Sequence, residues 1–350
     1  MKWPAHVEAL QGAVVALGAR ELGPNAARWD SSAGFEPTFA AKVADWGLFG
    51  VSVPEVQGGA GAGLLGAAVV IEEIAAHSGS LAMRLALHEG VAVGFALGLA
   101  DTSLLARLIG NGGFAGWVGL GRGVTAEQSS DRLRLQGSVC MAPGDGDLVV
   151  AGHGTGGPRV GFVAADQLSS GRARAACGLR AVGWTDVVID ADVEHSGNAA
   201  VAARLGARLS VLIGAVACGL ARAAISQATA YAQVREQFGQ SIAQFQAIQW
   251  KLANGATERD AAWLLVTDAA GRLDAQRPAA NEAAARAQLA AVRMSVSACS
   301  EALQVHGGYG YTREFPIERL LRDARACTAI DRGDDDLRAA LAAAITARFE

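Results

Sequence analysis

The sequence predicts a mainly α protein with a β insert, and three observations carry that prediction. Apolar residues recur at helical spacing through the first third of the 350-residue chain. Between Gly116 and Asp190 the pattern changes to short apolar runs broken by Gly, Asp and Ser, which are strand signals. After Gly197 long Ala-rich helical stretches resume. The expected layout is an N-terminal helical domain over residues 1–114, a middle β domain over 115–196 and a C-terminal helical bundle domain over 197–350.

The elements follow in order. Val7 to Leu22 carries apolar residues at helical spacing, and Pro24 is expected to stop that helix. Phe39, Val43, Trp46 and Leu48 mark a second helix ending at Gly50. The glycine run from Gln57 to Gly63 reads as a loop before a helix over Leu64 to Ala76, in which Glu72 and Glu73 follow an apolar face. Leu81 to Leu97 and Leu104 to Ile109 complete the first helical set. In the middle, Arg132 to Gln136 alternates, and Leu148–Ala151, Val160–Val163 and Val187–Asp190 read as strands. Three long helices are expected over about 198–236, 241–274 and 279–303, the third exposed and favoured by its alanines. Pro316 to Ala326 and Asp335 to Ala347 form the last two.

Composition narrows the class. The net charge of −4, with both signs interspersed, offers no surface for nucleic acid or an anionic membrane. No apolar run is read as reaching the roughly 20 residues a membrane span needs. The first six residues lack the apolar stretch of a signal peptide. Five scattered cysteines without a Cys-x-x-Cys pair read as small, partly buried free thiols in a reducing compartment. A soluble, cytoplasmic protein is the expectation.

Two segments carry chemistry. The first is Gln304-Val305-His306-Gly307-Gly308-Tyr309-Gly310-Tyr311 running on to Arg322-Asp323. The second is Arg235-Glu236-Gln237-Phe238-Gly239-Gln240-Ser241, continuing to Gln246. Gly239 and Ser241 read as a helix break with a cap. An arginine there can pair with a phosphate, or with a carboxylate such as Glu236. Together with Glu55–Gly61 and Val70–Ala75, these segments resemble the acyl-CoA dehydrogenase family along nearly the whole chain. The resemblance implies a three-part fold ending in a four-helix bundle, and a FAD-dependent flavoprotein oxidoreductase of fatty acid or sterol side-chain metabolism. It implies that Arg235, Gln237 and Phe238 reach the FAD of a neighbouring subunit, Arg235 at the pyrophosphate, with Gln246 near the same adenosine half. Gln304, Gly307 and Gly308 match the turn whose backbone closes over that cofactor. Glycines let the main chain approach, and amide donors with an arginine offset phosphate charge.

The same resemblance sets the register of Arg322-Asp323-Ala324-Arg325 and puts Asp331 where the family carries a glutamate base. That base removes the α proton of an acyl-CoA while a hydride leaves the β carbon. A carboxylate suits the task when burial raises its pKa. Asp331 is one methylene shorter, and Arg332-Gly333 replaces the family's Gly-Thr. The alternative for Asp331 is a solvated loop residue or an N-cap for the last helix. The other family base position falls near Ala207, which has no titratable group.

The middle domain departs from the family. Gly116-Trp117-Val118-Gly119-Leu120-Gly121-Arg122-Gly123 and Ser138-Val139-Cys140-Met141-Ala142-Pro143 stand where the family's flavin-ring motifs belong. Three functions follow: α,β-desaturation of an acyl-CoA thioester with Asp331 as base; a non-catalytic or half-site subunit completing a partner's FAD site; and a repurposed flavin oxidase or monooxygenase. The partners implied are acyl-CoA, an electron-transfer flavoprotein, and either copies of the chain (homodimer or homotetramer) or a homologous acyl-CoA dehydrogenase chain in a heteromer. No metal site is expected.

Overall fold

The computed structural model describes residues 2–110, 113–121, 123–129 and 132–347. Arg122, in the first of the two divergent segments, lies outside them. The N-terminal helices are α1 (Ala5–Leu17), α2 (Gly23–Ser32), α3 (Phe39–Asp45), α4 (Gly63–Ala75), α5 (Gly79–Leu87), α6 (Gly94–Leu99) and α7 (Thr102–Ile109). Pro24 does not stop the first helix. A π turn over Gly18–Leu22 links α1 to α2, and Pro24 lies in the first turn of α2, where a missing N–H costs nothing. A second π turn, His88–Val93, joins α5 to α6. The second helix ends at Asp45, earlier than its apolar spacing suggests.

The middle elements are β1 (Ala115–Val118), β2 (Thr125–Gln128), β3 (Leu133–Pro143), β4 (Asp147–Gly154), β5 (Gly157–Val163), β6 (Leu168–Ala173), β7 (Trp184–Val193) and β8 (Ser196–Gly197). They form one mixed sheet in the order β6-β7-β3-β2-β4-β5-β8, with β1 parallel to β4. The β3–β7 register shifts between Val139 and Ala142, and Met141 in that bulge has φ +60°. A bulge re-aims side chains, and Val139, Met141 and Ala142 all line the cavity described below.

The C-terminal helices are α8 (Ala199–Val234), α9 (Gln246–Asp274), α10 (Ala280–His306), α11 (Ile317–Cys327) and α12 (Asp334–Thr346). A short hairpin, β9 (Glu236–Gln237) and β10 (Gln240–Ser241), joins α8 to α9. Its turn residues Phe238 and Gly239 both have positive φ, the geometry of a tight two-residue hairpin. The expectation that α10 is exposed is corrected. It packs against α8, α9 and α11, and its alanines are largely buried because small side chains let helix axes approach.

The N-terminal helices dock on this bundle through α4, which packs on α8 and α9. A Cβ at Gly219 of α8 would fall 2.1 Å from the Glu72 carbonyl oxygen, so this crossing requires glycine. Glu72 and Glu73 do not simply follow the apolar face. They are buried and paired, Arg222 reaching both at 2.9 and 3.0 Å and Arg259 reaching Glu72.

The reading that no run is apolar enough to span a bilayer is also corrected. Gly79–Leu99 and Ala199–Val234 are long and apolar enough by length and composition. Both are mostly buried inside the protein, as core helices are. All five cysteines are free; Cys218, Cys299 and Cys327 are buried, whereas Cys140 and Cys177 are exposed.

Candidate active site

Asp331 is carried on the turn between α11 and α12. Its side chain is only 6% exposed, so it is not a solvated loop residue. Nor does it cap α12, whose N-cap is Gly333 and whose first turn holds Asp334, Asp335 and Asp336. Asp331 adopts φ +56°, a left-handed conformation that is costly for a residue with a side chain. Its Oδ1 accepts a 2.6 Å hydrogen bond from Trp117 Nε1 on β1. The next residue, Arg332, is anchored by a 2.9 Å bond from its guanidinium to Ser210 Oγ on α8.

Trp117 and Asp331 stand on the wall of a cavity of about 310 Å³. Its lining comes from all three parts of the chain. Leu87 of α5 contributes from one side, and Val118, Val139, Met141 and Trp184 from the sheet. Arg322, Arg325, Ala326, Ala329 and Ile330 contribute from α11 and the turn after it. The walls are mainly apolar. The Arg322 guanidinium is already engaged by Asp30 at 2.8 Å, Glu318 at 2.7 Å and the Cys177 carbonyl at 2.8 Å. Arg325 makes no side-chain hydrogen bond or ion pair among the described residues. One position without a Cβ matters here: a Cβ at Gly119 would lie 2.3 Å from Asp331 Oδ1.

Behind this cavity the N-terminal helices are held to the sheet by buried polar groups. Arg84 of α5, buried over the Phe114 ring, pairs with Asp145 at 2.8 Å. His88, also wholly buried, accepts the Ala115 N–H at 3.1 Å. Burial pushes the His88 imidazole down to about 3, so it is neutral.

The other sequence-predicted residues gather elsewhere. Arg235 at the end of α8 and Gln237 of the hairpin line a second cavity, of about 450 Å³, with Gly307 and Gly308 across it. Tyr231, His306, Tyr309 and Thr312 also line it. Arg235 does not pair with Glu236; its guanidinium has no partner among the described residues. A Cβ at Gly307 or Gly308 would meet nothing within 4 Å, so the backbone there is open. Gln246, the first residue of α9, and Gln304, in the last turn of α10, are exposed and do not line this cavity. Phe238 stands at the hairpin tip, 95% exposed.

The two cavities share no lining residue. Each has features that suit part of a dinucleotide. The second offers a guanidinium and an open glycine backbone, with His306, whose buried Nε2 has no partner among the described residues. The first offers mainly apolar walls against which a ring could lie, but the Trp117 N–H is already given to Asp331.

Sequence reasoning did not assign roles to Trp117, Tyr231, His306 or Arg325. Trp117 and Asp331 meet only in three dimensions, and no spacing signals such a pair.

The architecture is three-part, helices, then a sheet domain, then a helical bundle, with a carboxylate at an apolar cavity between them, and similarity to known proteins identifies its class. Residues 4–101 match the model of the acyl-CoA dehydrogenase N-terminal domain, and residues 206–346 that of the acyl-CoA dehydrogenase C-terminal domain. The 3-(aryl)acrylate reductase of Clostridium sporogenes is 31% identical over 342 residues, covering 87% of this chain and 89% of that protein. The benzylmalonyl-CoA dehydrogenase of Aromatoleum aromaticum is 30% identical over 349 residues, covering 91% and 92%. The butyryl-CoA dehydrogenase of Megasphaera elsdenii has the same fold, with a TM-score of 0.91 over 99% of both chains at 21% identity. The chain belongs to the acyl-CoA dehydrogenase family of flavin oxidoreductases.

Proposed function

We propose that the chain catalyses FAD-dependent oxidation of an acyl-CoA thioester between the α and β carbons, with Asp331 as the base. The observation that carries this reading is the location of Asp331, a shielded carboxylate on the wall of an apolar interdomain cavity, tied to Trp117. FAD, when bound, supplies a two-electron acceptor for the β hydride. The ring would lie against the apolar walls formed by the sheet and α11. Asp331 accepts the α proton, and the apolar lining excludes water that would compete for it. The relatives act in both directions by name, a reductase and a dehydrogenase; the proton at Asp331 serves either sense by reversibility. An electron-transfer flavoprotein is the proposed redox partner, and the cytoplasm the proposed location. The test is turnover of acyl-CoA thioesters by the purified chain, with Asp331→Asn as comparison. Loss of turnover with retained fold and flavin supports the assignment; undiminished turnover overturns it. Oxygen consumption without another acceptor would mark a flavin oxidase instead.

A second reading is favoured by the separation of the two cavities. One dinucleotide would need the ring-side cavity of one chain and the Arg235 face of another. Among the described residues the ring side has few free donors, and buried ring atoms left unpaired cost about 1–3 kcal/mol each. The Arg235 face is open, with Val234, Phe238 and Trp250 exposed around it. On this reading the chain completes the FAD site of a homologous, better-equipped subunit. Purification of the chain alone separates the two: full flavin absorbance supports a self-sufficient homo-oligomer, and its absence supports the heteromer.

A further inference from the structure

We propose that Trp117 is a positioning residue for Asp331, its indole N–H fixing the direction of the carboxylate and favouring its charged form. This rests on the reading of Asp331 as the base. Parallel pairing of Trp117 with Val149 of β4 fixes the strand that carries the indole. An indole has one donor, Nε1, and here it lies 2.6 Å from Asp331 Oδ1. Hydrogen bonds to an ionised carboxylate are shorter and stronger than neutral ones, and this contact is short.

The approach depends on Gly119, two residues further on. A Cβ there would lie 2.3 Å from Asp331 Oδ1 and 3.0 Å from Trp117 Nε1. Asp331 also holds its left-handed φ between two anchors, the indole on its own carboxylate and Arg332 on Ser210. A short aspartate arm has fewer rotamers than a glutamate arm to search for its substrate. A fixed donor therefore sets by orientation what the side chain lacks in reach.

Among the described residues, these charged and titratable groups line the cavity around the carboxylate or adjoin it. From α11 come Arg322 and Arg325, from the loop after β6 comes Cys177, and from the neighbouring position Arg332, whose Nε is 3.8 Å from Oδ2. The described residues of β1 and the turn after it add no charge. A donor on the carboxylate stabilises the anion, so its removal makes the carboxylate easier to protonate.

The experiment reads the bond and its consequence separately. In the 15N-labelled chain, the Trp117 indole resonance is assigned by its loss in Trp117→Phe. It is expected downfield of a free indole and should move upfield in Asp331→Ala. No movement overturns the proposal. In the flavin-loaded protein, Trp117→Phe should shift the acidic limb of kcat/KM upward by about one pH unit. An unmoved limb, with Asp331→Asn inactive, overturns positioning and leaves the base assignment standing. If Asp331→Asn retains full turnover, the base assignment itself falls, and positioning falls with it.

Discussion

The Asp274 carboxylate, at the end of α9, accepts the Leu64 N–H at 2.9 Å and the Leu65 N–H at 3.1 Å. A side chain of the C-terminal bundle thus caps α4 of the N-terminal domain, whose own N-cap residue, Ala62, has no side-chain acceptor. Asp274→Ala is expected to lower unfolding free energy by about 0.5–2 kcal/mol, the range for losing an N-cap. Denaturant titration with an unchanged slope would bear this out; a stability equal to the parent's would contradict the capping role.

Gly119→Ala tests how closely the sheet must approach Asp331. The added methyl would meet Oδ1 at 2.3 Å, so the carboxylate must move. A displacement of about 1 Å is expected to lower kcat on the order of a hundredfold. Steady-state kinetics beside a thermal melt distinguish this from unfolding, since the melting temperature should change little.

Two buried groups give opposite pH dependence of stability. Asp323 accepts the Leu179 N–H at 2.6 Å, yet burial pushes its carboxyl from the usual 3.8 up to about 6. Between those values the folded state holds a proton that the unfolded state has lost, so stability falls as pH rises. His88 is pushed by burial from 6.5 down to about 3. Between those values the unfolded state binds the extra proton, so stability rises with pH. The two slopes oppose each other between pH about 4 and about 6. Asp323→Asn should unmask a rising profile and His88→Asn a falling one, measured by denaturant unfolding across that window. Parallel profiles for both variants would refute the assignment.

Arg235→Ala tests the open face of the second cavity. If its free guanidinium meets a phosphate, FAD affinity in the assembled protein should drop about tenfold or more, as expected for a bond to a charged group. Spectral titration of flavin measures this. An unchanged dissociation constant would assign Arg235 to the surface.

Much of this architecture is written locally. The change from helical spacing to alternation at Gly116 and back after Gly197 matches the observed run of β1 to β8. Pro24 misled because proline breaks a helix interior but suits a first turn, and the π turn before it left no periodic signal. The alanines of α10 misled because propensity and burial both favour alanine in a packed helix. At the site, the register that Arg322 and Asp323 set singles out Asp331 as a candidate. The sequence does not show its environment. Trp117 reaches it only because β1 pairs with β4 and Gly119 leaves room. Likewise Arg235 and Gln237 meet Gly307 and Gly308 across a cavity, whereas Gln246 and Gln304 point elsewhere on the surface.

The cavity wall that runs from Leu87 through Trp117 and Trp184 to Asp331 also has a consequence for how the chain acquires activity. No helix hairpin and no isolated sheet contains enough of that wall to form it. Local helices close early in folding, and contacts of large sequence separation come late because their loop-closure entropy is lost first. The cavity is therefore expected to close only after the helices have formed.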